Sequence, residues 1–339
     1  MSSIAASLHR PDQIEVSFRT IGTNLLLVIL MIVLLGTPSE LINDAWMSHY
    51  DEITGWFPSR MSDWLRRHTT DPKLPTPPPA AHSPVATPRR IAILAAFAFV
   101  SAMIYGFLDP NFGFNSASAA SVISLTAALG LLTAAWELPT IWWMHRKSEQ
   151  RLFLRVYPAV IPVSILCVLA SRVFHIAPGF LIGAVGAAAV ASGEATHEQE
   201  AKGVLACSLG VLLATAMAWM LWIPIDAHLG AIKHPGFVMA LLDSMLATIV
   251  VSGLQMLVFG LLPLHFVKGE PLKKWSFLAW SGLFGTAVFG VLWLVVHPTG
   301  GLSDNIIPSV KTLAPFVGIA VAAAGVWAYF RYRRAPTLA

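Results

Sequence analysis

Asp243, Ser244, Thr248 and Gln255 lie in one long apolar run, 237–262, where polar groups are costly. At 100° per residue Ser244, Thr248 and Gln255 share one helix face, and Asp243 lies on an adjacent face near the start of the run. A carboxylate at membrane depth is a functional candidate by default. The plainer alternative is an acid that reaches the aqueous interface or caps a neighbouring helix. Gln255 can contact a solute or bridge two helices, a bond worth about 0.6–2 kcal/mol in lipid. Arg172 closes an earlier apolar run and can attract an anion or pair with Asp243. Arg172, Asp243 and Gln255 are thus the candidate polar site inside the membrane.

A second set is His175, His228, His234 and His297 with Asp109, Asp226 and Asp304, all in connections on one side of the topology derived below. Imidazole and carboxylate suit zinc and related metals, and Asp226-x-His228 is a ligand pair if it sits on an irregular turn. The same two residues form the outer mouth of a permeation path if no metal is held. There is no H-E-x-x-H and no repeated ligand spacing on a helix. No metal or other cofactor is therefore assigned, and His175, His228 and His297 stay candidates only. Glu194, His197 and Glu198 can share a helix face, but acids there also simply complement the dipole of the helix that follows. Glu137, at the end of a run, has Arg146 and Arg155 as nearby cations. With no G-x-S-x-G and no Walker loop, no catalytic residue is assigned, and the balance leans away from an enzyme.

Hydrophobic residues make up 56% of the 339 and charged ones 12%, about half the charged share of a soluble domain, and mean hydropathy is +0.67. Continuously apolar runs of about 20 residues suit helices across a hydrocarbon core; a membrane β-barrel needs alternation instead. The expectation is an all-α bundle of about nine membrane helices, at 21–38, 91–108, 117–136, 153–174, 177–193, 203–223, 237–262, 277–296 and 312–330. Basic residues alternate between connections. If the basic ones face the cytoplasm, all of the 22 Lys and Arg are inside except Arg10, Arg19, Arg172, Lys233 and Lys311. That bias predicts an outside N-terminus and an inside C-terminus. The apolar stretch of the fifth run spans only about 22 Å as a helix at 1.5 Å per residue. A re-entrant loop is the alternative there, but it would put Lys268, Lys273 and Lys274 outside.

The chain divides into an N-terminal tail and first span (1–38), a cytoplasmic interfacial segment with a Pro-rich linker (39–90), the bundle (91–330) and a short cytoplasmic tail (331–339). Trp46, Tyr50, Trp56, Phe57 and Trp64 among charges predict an interfacial helix over 44–67. The seven prolines of 71–90 predict a polyproline spacer. The 40–90 segment can also hold a protein partner; the bilayer is the main partner, and no feature points to nucleic acid. Gly179, Gly183, Gly186, Ala187 and Ala191 predict close helix packing. Cys167 and Cys207 sit in apolar runs, as small hydrophobes do.

Phe259-Gly260-Leu261-Leu262-Pro263, continued by Leu264-His265-Phe266, Gly269 and Trp275-Ser276, resembles the signature of bacterial FGLLP-motif-containing membrane proteins. Leu108–Phe114, Ser171-Arg172 with Pro178-Gly179-Phe180, and Trp222-Ile223-Pro224 add to the resemblance, which covers about 91–300. His265 and Gln255 stand where the signature has an arginine and an acid. The resemblance implies a plasma-membrane protein and carries no activity. In physical terms Phe259, Gly260 and Pro263 form a helix break: Gly260 allows close approach and Pro263 ends the helix. Three functions stand open: passage of a small solute, a metal-dependent membrane enzyme, and a scaffold.

Overall fold

The computed structural model describes residues 4–55, 88–109, 111–147, 152–156, 160–173, 179–181, 186–190, 197–230, 232, 236–265, 267–296 and 306–332. After two 3-10 turns, Ala5–Ser7 and Pro11–Gln13, come α1 (Phe18–Ser48), α2 (Tyr50–Gly55), α3 (Pro88–Gly106), α4 (Ser116–Lys147), β1 (Leu152–Val156) and α5 (Val160–Val173). These are followed by β2 (Gly186–Val190), α6 (His197–Gly230), α7 (Phe237–Gly260), α8 (Gly269–Trp275), α9 (Phe277–Val291) with a π turn Leu292–Val296, and α10 (Ile306–Tyr332). The fold is helical but for one two-stranded antiparallel sheet. Five helices are long and apolar enough to cross a membrane: Phe18–Ser48, Ser116–Pro139, His197–Gly230, Phe237–Gly260 and Phe277–Val296. Ile91–Gly106, Ile161–Val173 and Phe316–Tyr332 are shorter apolar helices.

The bundle is built around α7, whose buried residues run almost unbroken from Asp243 to Val258. A helix buried on all sides shows no amphipathic stripe, which is why the run reads as uniformly apolar. Helices α4 and α6 pack against α7 and each other, α9 closes another side, and α10 lies along α1. Large apolar side chains on the outer surface, such as Leu26, Ile29, Leu166, Leu213 and Leu221, are exposed, as lipid-facing positions must be.

Two expectations need correction. The fifth run is not a helix over Gly186–Val190, which pairs as a strand with Leu152–Val156 in the register Leu152↔Val190 to Val156↔Gly186. Consequently the fourth helix begins at Val160 rather than 153. The physical reason is reach: a strand rises about 3.3 Å per residue against 1.5 Å in a helix. A stretch too short to cross as a helix can cross extended, provided its backbone groups find partners. Arg172, at the end of α5, binds the chain just after α3, whereas α6 begins beside α8.

The other correction concerns proline. Expected helix ends at 38, 136 and 223 are passed, because Pro38, Pro139 and Pro224 lie inside α1, α4 and α6. In a membrane bundle neighbouring groups take up the carbonyl that proline frees. Pro263 is different: α7 stops at Gly260, and the backbone turns through Leu261–Val267. The interfacial helix of 44–67 is represented by the end of α1 and by α2; residues 56–87 lie outside those described. The acidic N-terminus expected for the sixth run is present, with Glu198 and Glu200 in the first turn of α6 and Lys202 paired to Glu198.

Candidate functional site

Polar side chains of α6 and α7 form a seam through an otherwise apolar core, on two sides of α7. On α7, Ser244, Thr248, Ser252 and Gln255 are buried on one face as the helical period requires, the face that Gln255 turns toward Gly179–Leu181. The side of α6 that meets α7 carries Ser208, Thr215 and Trp222 at seven-residue steps, and it looks onto Gly253 and Asp243 rather than onto the Gln255 face. Thr215 lies directly against Gly253, where any side chain would collide with its hydroxyl. Thr126, Thr133 and Thr248 donate to the carbonyl four residues back. The buried hydroxyls of Ser208, Thr215 and Ser252 have no partner among the described residues. A buried polar group left unsatisfied costs about 1–3 kcal/mol, so the seam is chemically disposed toward a guest that hydrogen-bonds.

Asp243 heads the seam. It is 1% exposed, and Trp222 Nε1 donates to its Oδ1 at 2.9 Å. Arg172 makes no ion pair with it: Nε and one terminal nitrogen of the guanidinium donate to Phe107 O at 2.9 and 2.6 Å. Arg172 thus caps the carbonyl end of α3, a role open to any cation at a helix C-terminus. Arg172, Asp243 and Gln255 each have separate partners.

Gln255 holds the extended piece of the chain. Its Nε2 donates to Gly179 O at 2.9 Å, and its Oε1 accepts from Leu181 N at 2.6 Å. Between them Phe180 N donates to Ser171 Oγ, and the Phe180 ring meets Phe259 edge to face. One amide side chain therefore supplies the donor and the acceptor that a neighbouring strand would supply. The pairing requires an amide at 255, since a carboxylate has no donor for Gly179 O. Gly179 adopts φ +94 and lies against Leu108, a conformation open mainly to glycine. Gly183 lies outside the described residues.

An ion pair lies near each end of α7. At the first, Arg10 Nε stands 3.2 Å from Asp226 Oδ2. Asp226 lies within α6, so the irregular turn expected for Asp226-x-His228 is not formed; His228 is exposed. At the other, Lys268 Nζ donates to Glu137 Oε1 at 2.9 Å and sits over the Trp136 ring. Glu137 is thereby paired across the bundle; the side chains of Arg146 and Arg155 lie outside those described.

The turn after α7 explains its conspicuous sequence. Trp136 packs on Gly260, Trp280 Nε1 donates to Leu261 O, and Asn43 donates to Pro263 O while accepting from His265 N. Glu270 binds His265 at 2.9 Å and Lys274 at 2.7 Å. Lys273 reaches Glu40 at 2.7 Å. The Phe259–Pro263 stretch is thus a knot joining α1, α4, α7, α8 and α9.

No group of three or more His, Cys, Asp or Glu is placed to hold a metal among the described residues. His175, His234, His297 and Asp304 lie outside them, and Asp109 serves its own turn by accepting from Asn111 N. Cys167 and Cys207 are free. Ser208, Thr215, Ser252 and Lys268 are not isolated by sequence reasoning. The available signal was the four-residue step from Thr248 to Ser252 and the seven-residue step from Ser208 to Thr215. Comparisons with family models, with curated proteins and with solved structures find no match. The class that fold and site define is a helical, apolar bundle of the multi-pass membrane kind.

Proposed function

We propose that this protein passes a small polar solute across a bacterial plasma membrane, along the α6–α7 seam, and that it is held here in a closed state. The observation that carries the reading is the seam itself: unpartnered buried hydroxyls on two packed helices, with ion pairs near both ends of α7. Irregular backbone at membrane depth, as at Gly179–Leu181, is tolerated where protein or a water-filled path shelters it, and transporters place such backbone near their sites.

The proposed orientation has the Arg10 end outside and the Lys268 end inside. Lys202, Lys268, Lys273 and Lys274 collect at the latter, and the end of α10 joins them through the stacking of Phe330 on His49. Basic residues favour the cytoplasmic side. The nine-crossing count is kept, with the fifth crossing made partly by extended chain. Membership of the FGLLP-motif proteins belongs to the same proposal and rests on the quoted stretches. The bilayer is the main partner, and the 40–90 segment is the surface offered to a protein partner.

The test is solute entry into proteoliposomes, followed by light scattering with urea, glycerol and erythritol, and with a trapped pH dye for protons. Wild type should admit at least one probe faster than protein-free liposomes, and Thr215→Leu, which fills the seam with an apolar side chain, should reduce that rate at least fivefold. Equal rates for wild type, Thr215→Leu and empty liposomes would remove solute passage.

A further inference from the structure

We infer that the cleft at the Arg10 end, between α6, α7 and the π turn, is a binding site for an organic cation bearing an apolar group. The protein's own N-terminal segment fills it as a tethered ligand. The inference rests on the solute-passage reading only for the side from which a free ligand arrives.

The segment is neither a span nor a loose tail. Ile4, Ala5 and Leu8 are nearly fully buried and belong to the main apolar core, with the first 3-10 turn packed on α7. Few directional contacts hold it. His9 N donates to Leu294 O at 3.1 Å, and its ring Nδ1 is 3.0 Å from the same oxygen. That carbonyl belongs to the π turn, a break in helical bonding that recurs at functional sites. Trp219 Nε1 donates to His9 O at 3.4 Å, and Arg10 lies on Asp226, whose side chain is 13% exposed.

The contacts define what the cleft recognises. Leu294 O and the Asp226 carboxylate accept, so the occupant must present donors. The Asp226 carboxylate, paired with Arg10 here, demands a cation. The places of Ile4 and Leu8 demand an apolar body. Aromatic walls such as Trp219 add attraction for a cation. A primary or guanidinium-type cation joined to an apolar group meets all of these; an anion is repelled by Asp226 and offers Leu294 O no donor. A tethered occupant competes at an effective concentration of about millimolar order, so freeing the cleft reveals an affinity that the intact protein masks.

The test uses the full chain in lipid nanodiscs, with ethidium as a fluorescent cation and 1-anilinonaphthalene-8-sulfonate as an aromatic anion. Wild type should bind ethidium weakly. Leu8→Asp combined with Arg10→Ala, which expels the segment, should gain at least tenfold in affinity, and adding Asp226→Asn should abolish the gain. The anion should show no gain. If the double variant fails to elute as a folded protein, Arg10→Ala alone carries the test, with a gain of at least threefold. Equal ethidium affinity in wild type and the displaced variant, a gain that survives Asp226→Asn, or an equal gain for the anion would overturn the site. Cation binding without solute flux would support this site while removing the transport reading; flux without cation binding would do the reverse.

Discussion

Gln255→Leu destabilises the folded bundle by about 2–6 kcal/mol, the sum of two orphaned backbone groups at about 1–3 kcal/mol each. The groups are Gly179 O and Leu181 N, both now satisfied by the one amide. Leucine is similar in volume, so packing alone would predict a small change. Water cannot take over readily, because Leu181 is fully buried and Gln255 nearly so. Equilibrium unfolding in mixed micelles measures the effect. A loss below about 0.5 kcal/mol would mean that the extended segment is not held by this side chain. Ser171→Ala, which removes the acceptor for Phe180 N, should lose about half as much, since one group is orphaned rather than two.

Lys268→Met should cost about 2–3 kcal/mol. Glu137 is 2% exposed, and its carboxylate loses the cation 2.9 Å away. Removing one partner of a fully buried pair costs about 3–5 kcal/mol; Lys268 keeps a third of its side chain exposed, which sets the lower figure. The same substitution removes the cation held over Trp136. Adding Glu137→Gln to Lys268→Met should restore more than half of the loss, because the buried charge itself is then gone. The cycle of single and double variants reads the coupling directly. Losses that simply add would show that the two side chains act independently.

The helical class, the five long apolar helices and the break before Pro263 were legible because each depends on local composition and length. α7 was found to within two residues, since a buried helix is apolar on every face. What misled was context. Proline reads as a terminator in water, but α4 and α6 continue past Pro139 and Pro224. The strand over Gly186–Val190 depends on Leu152–Val156, a partner far off in sequence with no pairing signal of its own. The N-terminal segment reads as a tail because it is short, yet Ile4 and Leu8, four apart, are core residues. Among the candidate site residues, Gln255 and Asp243 were visible as polar groups at depth, but what they touch was not. Gln255 serves the backbone, Asp243 serves Trp222, and Arg172 caps a helix end. Thr215 and Ser252 stayed hidden because a lone hydroxyl in an apolar run usually bonds its own helix.

A seam that passes solute admits water and small polar reagents. The most direct measurement is the reaction of Thr215→Cys and Ser252→Cys with a small, charged, membrane-impermeant thiol reagent, in a background where Cys167 and Cys207 are replaced by alanine. Leu221→Cys, at an exposed apolar position on α6, is the lipid-facing control. Both seam cysteines should react at least tenfold faster than the control, and faster still when Arg10→Ala opens one end. Seam cysteines as inert as the lipid-facing one, with or without Arg10→Ala, would contradict it and leave α6–α7 a packing interface.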